Sequence, residues 1–337
     1  MGHPKQYIHR DPFLLESGGS IEQLTLAYHT YGKINENRDN VIWVFHALTA
    51  NSDVIAWWPA MAGEHKALDP REHFLICVNV LGSCYGSTGP RSPHPRNGQA
   101  YGLDFPRFTV RDVVRTQLLL ADHLGIERIK LIVGGSFGGF QALEFALLFK
   151  GKVEHMALVG TSAKETAWSI AIHESQRLAL TADKSFNGND HESGQAGMRA
   201  ARGIGLLTYR TYEAYKLTQS DHDGRLDDFS AASYIRYQGD KLVNRFHAHC
   251  YWYLTKCLDT HDLGRGRGGV EKALAQIRVP TLAIGIRTDR LVPVAEQQFI
   301  ARHIPGARYV EIDSEFGHDG FLIEGERIGK LIRDFIG

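Results

Sequence analysis

Gly134-Gly135-Ser136-Phe137-Gly138-Gly139 stands between a largely apolar run and a helical pattern, and this stretch decides the fold. The preceding residues 129–133 (IKLIV) predict a buried strand, and residues 140–148 combine good helix formers with an apolar face. A serine on a strand-to-helix turn, with glycines two residues before and two residues after it, is typical of a nucleophile elbow. The turn is so sharp that side chains at 134 and 138 would collide with the neighbouring strand or helix. We therefore predict that Ser136 has a strained backbone conformation and that its hydroxyl points into a cleft.

Strand and helix patterns alternate through most of the chain. Continuous apolar runs are typical of strands buried on both faces of a parallel sheet, and alternation with helices indicates an α/β protein with a mostly parallel, doubly wound sheet. The predicted strands are 23–28, 41–45, 74–78, 129–133, about 153–160, 281–285 and 308–312, and the predicted helices are 110–124, 140–148, one from about 293 and one from about 321 to 336.

Residues 163–276 break this alternation. Their pattern is helical and in places polar, and they include a glycine-rich stretch at 264–269. We interpret them as a helical lid inserted over the carboxyl ends of the strands, where sheets of this kind bind their ligands. The predicted organisation is a core of residues 1–162 and 277–337 with a lid of residues 163–276.

A serine hydroxyl is a weak nucleophile, so Ser136 needs a histidine base whose tautomer is fixed by a carboxylate. After an elbow of this kind the acid comes next in the chain and the histidine last. Asp289 lies just past the carboxyl end of the penultimate predicted strand, and His318 lies in the loop between the last strand and the last helix. Asp313 and Glu315 are alternative acids, but they share the His318 loop and are more naturally solvated surface groups. We predict Ser136, Asp289 and His318 as the catalytic triad.

A tetrahedral intermediate on Ser136 requires backbone N–H donors for its oxyanion. One donor should be the N–H of Phe137, which directly follows the nucleophile. The other should come from the loop after the strand at 41–45, where Leu48 is the candidate. The side chains are incidental to this role because the backbone supplies both donors.

Several long motifs accompany the Ser136 turn and indicate one family. They are Phe45–Thr49 with Trp57-Trp58, Asn79–Pro90, Tyr237–Leu242 and Gly317–Leu322. From Leu15 to the final helix, the chain resembles the homoserine O-acyltransferase family. The resemblance implies an α/β-hydrolase fold with a helical lid, usually as a homodimer. It also implies transfer of an acetyl group from acetyl-CoA, or less often a succinyl group from succinyl-CoA, to the side-chain hydroxyl of L-homoserine, a step towards methionine. The acyl group would pass through a covalent acyl-serine in a ping-pong mechanism.

The resemblance also implies roles for two charged residues. Arg202 would bind the substrate carboxylate, and Asp319 would bind the substrate ammonium; these charges suit an amino acid. Taken without the family, Arg202 would be an exposed lid arginine and Asp319 a capping or loop acid. The chain departs from the family at two positions: Phe137 stands where methionine is common, and His247 stands where aspartate is common.

Composition argues against some partners. The 337 residues carry 38 Lys and Arg and 38 Asp and Glu, so the formal net charge is zero, and no apolar run is long enough to cross a bilayer. We expect neither a nucleic-acid nor a membrane partner. Arg265 and Arg267 could contact the phosphates of CoA, although a lid loop is the simpler interpretation.

The N-terminal residues 1–6 lack the apolar core of a signal peptide, and the cysteines lack Cys-x-x-Cys spacing, so we expect reduced thiols in a cytoplasmic protein: Cys77, Cys84, Cys250 and Cys257.

A metal site is not expected, and acetyl-CoA is expected as a co-substrate with no cofactor. The possible metal ligands of one segment are not grouped on a single helix face, as a metal site would require: His247, His249, Cys250, Cys257, His261 and Asp262.

Other functions use the same triad, namely acyl transfer from succinyl-CoA or to L-serine, and carboxylesterase or thioesterase activity. Only the acceptor and the exclusion of water distinguish these from the transferase. A non-catalytic binding protein would not need all three triad residues.

Overall fold

A computed structural model describes residues 3–337, so Met1 and Gly2 of the N-terminal segment discussed above lie outside the described residues. Its centre is an eight-stranded sheet in the order β1-β4-β6-β5-β7-β8-β9-β10. All neighbours from β6 to β10 are parallel, whereas β1 and β4 add an antiparallel edge. The strands are β1 (Lys5–His9), β4 (Leu24–Tyr31), β5 (Val41–Phe45), β6 (Phe74–Val78), β7 (Arg128–Gly135), β8 (Lys152–Val159), β9 (Thr281–Ile286) and β10 (Arg308–Ile312), and β2 (Phe13–Leu14) and β3 (Ser20–Ile21) form a separate hairpin.

Helices on the two faces of the sheet complete the core. Every residue of β5 and of β9 is buried, as parallel strands covered on both faces should be. At the start of α2, Thr109 and Asp112 form a reciprocal capping box that fixes the beginning of the helix. The helices of the core are α1 (Val54–Trp57), α2 (Val110–His123), α3 (Phe137–Leu148), α10 (Val294–His303), α11 (Gly320–Ile323) and α12 (Gly325–Ile336).

The connection from β8 to β9 is helical. Its entry and exit run side by side, because Lys164 forms an antiparallel bridge with Asp262 and the N–H of Leu263 donates to the Ala163 carbonyl. An ion pair of 3.0 Å between the Lys164 ammonium and the Asp262 carboxylate reinforces this stem. The helices of the insertion are α4 (Ala167–Ala182), α5 (Gln195–Tyr209), α6 (Tyr212–Gln219), α7 (Ser230–Val243) and α8 (Ala248–Asp259), and α9 (Val270–Leu274) follows the stem.

The predicted α/β architecture with a mostly parallel sheet is confirmed. Two differences have physical causes. The edge strand β1 is mostly exposed and carries no apolar pattern, so its sequence gives no signal. The single helix predicted for 321–336 is two helices, α11 and α12, because the chain leaves helical geometry at Glu324. The boundaries of the lid at 163 and 276 remain a prediction. No helix within residues 3–337 is both long and apolar enough to span a bilayer.

Candidate active site

Ser136 lies on the turn between β7 and α3 in a strained backbone conformation. Its φ is +55° and its ψ is −124°, values that a residue with a side chain rarely adopts. A Cβ on Gly134 would lie 2.3 Å from the Gly138 backbone, and one on Gly138 would lie 2.2 Å from the Phe45 carbonyl oxygen. Glycine is therefore required on both sides of the serine, for the reason the sequence indicated.

Three loops at the carboxyl ends of β7, β9 and β10 bring Ser136, Asp289 and His318 together. The Ser136 Oγ lies 2.8 Å from Nε2 of His318, and the Asp289 Oδ2 lies 2.6 Å from Nδ1 of His318. An ionised carboxylate only accepts, so Nδ1–H donates to Asp289 and Nε2 is left to accept from the serine hydroxyl. Asp289 and His318 are buried, and Ser136 is partly exposed. This geometry is that of a nucleophile, a base and an orienting acid.

The second oxygen of Asp289 is also fixed. Its Oδ1 accepts from the N–H groups of Leu291 and Val292, each at 2.9 Å. The two alternative acids do not reach His318: Asp313 is exposed and pairs with Arg287, and Glu315 is exposed. The geometry thus favours Asp289 among the three candidate acids.

Opposing influences act on the pKa of His318. Burial of the imidazole is the largest and lowers the pKa. The charge and hydrogen bond of Asp289 raise it, and the charges of Asp319 and Glu165 add to that effect. The net result is a pKa raised above the ordinary histidine value, which suits a base that must hold a proton in the middle of a reaction.

The two predicted oxyanion donors lie on adjacent elements. Leu48 is in the loop after β5, which pairs with β7, and Phe137 is the first residue of α3. The N–H of Phe137 has no acceptor inside the helix because it belongs to the first turn. Leu48 lies in a loop, and its N–H donates to no backbone carbonyl among residues 3–337. Both groups are thus free to receive an oxyanion.

Arg202, on α5, is half-buried and close to the triad. Its guanidinium lies 5.7 Å from the centroid of the Tyr209 ring, and that ring lies 6.0 Å from the His318 ring. Within the described residues, no carboxylate forms an ion pair with Arg202. A half-buried cation that no carboxylate of the described residues neutralises is suited to a carboxylate ligand.

Asp319 is paired with Arg210, a residue that sequence analysis missed. The Arg210 Nε donates to Asp319 Oδ2 at 3.0 Å, and both side chains are mostly buried. No other hydrogen bond or ion pair to Asp319 is found in residues 3–337, so Oδ1 is available. The next residue, Thr211, donates its hydroxyl to the Glu315 carbonyl, so the end of α5 is fastened to the His318 loop. Arg210 and Asp319 are 109 positions apart, and no local pattern links them.

His247, one of the two departures from the family pattern, is the N-cap of α8. Its Nδ1 accepts from the N–H of His249 at 3.2 Å, and its Nε2 lies 3.1 Å from the Asp190 carbonyl. Burial lowers the pKa of His247 to about 4, which keeps Nδ1 unprotonated and able to cap. Aspartate, the common family residue, is also a good N-cap. His247 therefore caps α8 at a position where an aspartate could do the same.

The remaining charged and metal-ligand candidates have local structural partners. Arg265 pairs with Glu16 at 2.9 Å, and Arg267 pairs with Glu144 at 2.7 Å, so both arginines tie the glycine-rich stretch to the core. Across residues 3–337, no three His, Cys, Asp or Glu side chains are grouped so that they could hold a metal ion. The four cysteines, all of them described, form no disulfide.

Comparison with known proteins identifies the family of this chain. The α/β-hydrolase fold family matches residues 40–324. Homoserine O-acetyltransferase from Cyclobacterium marinum is 44% identical over 95% of this chain and 92% of its own length, and that from Chlorobaculum parvum is 45% identical over 96% and 92%. The chain belongs to the homoserine O-acetyltransferase family.

Solved structures extend the family assignment. Homoserine O-acetyltransferase from Bacillus anthracis superimposes with a TM-score of 0.91 at 25% identity, covering 99% of this chain and 97% of that one. Esterase E22 superimposes with a TM-score of 0.89 at 24% identity, covering 99% and 100%, which shows a shared fold. As a member of the homoserine O-acetyltransferase family, the protein is a transferase built on the α/β-hydrolase fold.

Proposed function

We propose that the protein transfers an acetyl group from acetyl-CoA to the side-chain hydroxyl of L-homoserine, a step of methionine biosynthesis. The observation that carries this proposal is the membership of a family whose relatives are homoserine O-acetyltransferases at 44–45% identity. The hydrogen-bonded Ser136, His318 and Asp289 support it, because they supply the groups that acyl transfer needs.

The first half of the reaction acylates Ser136. His318 Nε2 takes the hydroxyl proton as Oγ attacks the thioester carbonyl, and Asp289 stabilises the imidazolium that forms. The negative charge on the carbonyl oxygen is received by the N–H groups of Phe137 and Leu48. When the tetrahedral intermediate collapses, the carbon–sulfur bond breaks, CoA leaves as its thiol with the proton from His318, and the acetyl group stays on Ser136.

The second half transfers the acetyl group to homoserine. His318 takes the proton of the homoserine hydroxyl, whose oxygen attacks the acyl-serine ester, and the same two N–H groups receive the second oxyanion. Collapse breaks the bond to Ser136 Oγ, which recovers its proton from His318. Water attacking in place of homoserine would give hydrolysis, so the helical insertion is assigned the role of a lid that excludes it.

The two charges of the acceptor have candidate partners. We assign the homoserine carboxylate to Arg202, which is half-buried and unpaired within the described residues. We assign the ammonium to the free Oδ1 of Asp319, whose other oxygen is held by Arg210. In this arrangement, Arg210 fixes the direction in which Asp319 presents its second oxygen.

Other parts of the proposal rest on the family and on chemistry. Acetyl-CoA serves as co-substrate, and no cofactor takes part because the triad supplies nucleophile, base and acid. The protein acts as a homodimer in the cytoplasm. Large apolar side chains that are exposed on the insertion support a second copy as the partner: Trp168, Leu178, Leu207, Tyr212, Leu217, Leu226, Phe229 and Tyr237.

The test is the release of CoA thiol from acetyl-CoA with and without L-homoserine, with succinyl-CoA and L-serine in parallel. We expect release that depends on homoserine and that yields its O-acetyl ester. Ser136→Ala should lower the rate at least about 10⁴-fold, because the covalent intermediate can no longer form. Equal release without any amino acid would identify a hydrolase and would remove the basis for assigning Arg202 and Asp319 to the acceptor.

A further inference from the structure

A buried glutamine touches both segments that carry the candidate oxyanion donors. Gln141 lies on α3 and is fully buried. Its Nε2 donates to the carbonyl of His46 at 3.1 Å and to that of Phe137 at 3.3 Å. The first carbonyl lies two residues before Leu48, and the second belongs to the other donor residue. One amide group therefore joins the loop after β5 to the first turn of α3.

The direction of this amide is fixed from outside the site. The indole N–H of Trp43 can only donate, and it donates to Gln117 Oε1 at 3.0 Å. The Gln117 Nε2 therefore faces Gln141, and it donates to the Gln141 Oε1 at 2.8 Å. Gln141 must then turn its own Nε2 towards the two carbonyls. Each hydrogen bond in this series therefore has a fixed donor and acceptor, from Trp43 through Gln117 to Gln141, and all three side chains are buried.

His46 fixes the peptide that carries the Leu48 N–H. The N–H of Val80 donates to His46 Nε2 at 3.1 Å, so the ring proton is on Nδ1, which lies 2.8 Å from the Ala47 carbonyl oxygen. Burial lowers the pKa of His46 to about 4, which keeps this neutral tautomer. In a planar trans peptide the N–H points opposite to the C=O. Holding the Ala47 carbonyl therefore sets the direction of the Leu48 N–H.

We propose that Gln141 and His46 are positioning residues for the oxyanion hole. Gln141 sets the spacing of the two donor segments, and His46 sets the direction of the Leu48 N–H. Neither side chain is placed to touch the substrate, so both act through the backbone. This inference rests on the proposed function, because it assumes that Leu48 and Phe137 receive an oxyanion formed at Ser136.

The test is Gln141→Met, which keeps the length of the side chain and removes both donors. The control is Gln297→Met, since Gln297 is equally buried and donates to a single carbonyl, that of Thr161, at 2.7 Å. Acylation by p-nitrophenyl acetate is followed as a burst, with the melting temperature measured in parallel. We expect Gln141→Met to slow acylation by about 10- to 100-fold. This loss should not exceed the one caused by removing an oxyanion donor outright. The p-nitrophenyl acetate concentration that gives half of the maximal burst rate, which reports ground-state binding, should change less than about threefold, since the oxyanion exists only in the transition state.

Gln117→Met provides a second variant in case Gln141→Met does not fold. It leaves Gln141 in place but removes the group that orients it, so acylation should slow by a smaller factor, at least about threefold. The inference is wrong if the folded Gln141→Met protein acylates at the wild-type rate, or no more slowly than Gln297→Met. If Gln141→Met does not fold, an unchanged rate in Gln117→Met would overturn it. Failure of the wild-type protein to form O-acetylhomoserine from acetyl-CoA and L-homoserine would instead contradict the proposed function.

Discussion

At the scale of single residues, the pH dependence of acylation should report on the charges around His318. The base must be neutral, so activity falls as the pH falls through its pKa, which the flanking carboxylates raise. Asp319→Asn removes one negative charge, which lowers that pKa and moves the acidic limb of the profile to lower pH. Arg210→Met removes the cation that pairs with Asp319, and the limb should move to higher pH.

These opposite shifts are measured as kcat/KM for p-nitrophenyl acetate between pH 5 and pH 8, so that acceptor binding plays no part. The charged groups that act on His318 include the carboxylates of Asp289, Asp319 and Glu165. The rings of Phe321 and Tyr209 also lie near it, with centroids at 5.4 and 6.0 Å. Arg210→Lys keeps the positive charge and should leave the limb close to its wild-type position. Shifts of Asp319→Asn and Arg210→Met in the same direction would contradict this account of the electrostatics.

Sequence patterns could predict the triad candidates but not the residues that support them. Ser136 is marked by a turn that only glycines permit, and Asp289 and His318 follow strands in a fixed order. Gln141 resembles any helix former on α3, and its contact with His46 depends on the pairing of β5 with β7. Supporting residues of this kind are defined by distances between elements, which local sequence does not encode.

At the scale of elements, the start of α8 should depend on the capping bond of His247. His247→Ala removes the acceptor for the His249 N–H and should lower the free energy of unfolding by about 1 kcal/mol at pH 7.5. His247→Asp, the common family residue, should recover most of that loss because its carboxylate caps the same position. Urea denaturation of the three proteins measures these differences.

The pH supplies an internal control for the capping prediction. In the folded protein the pKa of His247 is lowered to about 4, against an ordinary value of about 6.5. A histidine with a lowered folded pKa contributes its full stabilisation above the unfolded pKa and loses it as the pH falls towards the folded one. The difference between wild type and His247→Ala should therefore shrink between pH 7 and pH 4. A difference that is constant with pH would show that the imidazole does not act as a neutral cap.

Sequence patterns located the buried elements more reliably than the exposed ones. The strands predicted at 41–45 and 74–78 coincide with β5 and β6, because parallel strands in a covered sheet need unbroken apolar runs. The strand predicted at 308–312 also coincides with β10, an edge strand of which only Ile312 is buried. The antiparallel edge strand β1 packs only partly and carries no such signal. The break between α11 and α12 falls within one continuous helical pattern, so periodicity alone could not reveal it.

At the scale of the whole molecule, apolar exposure is concentrated on the insertion. Residues 163–276 carry eight of the twelve large hydrophobic side chains that are exposed in the described chain. A contiguous patch of exposed apolar groups is typical of a surface that another protein covers. If a second copy covers them, the wild-type protein should sediment at micromolar concentration with twice the mass of the 37.7 kDa chain.

Charges placed on this surface should separate the two copies. Leu207 and Leu217 are each 67% exposed, so Leu207→Asp and Leu217→Asp leave the core unaffected, but each would place an uncompensated carboxylate in the interface. We expect at least one of these variants to sediment as a monomer with an unchanged melting curve at low concentration. Leu14→Asp is the matched control, since Leu14 is 65% exposed on the hairpin of the core, and it should remain a dimer. A monomeric wild type, or two insertion variants as dimeric as the control, would show that the insertion does not form the interface.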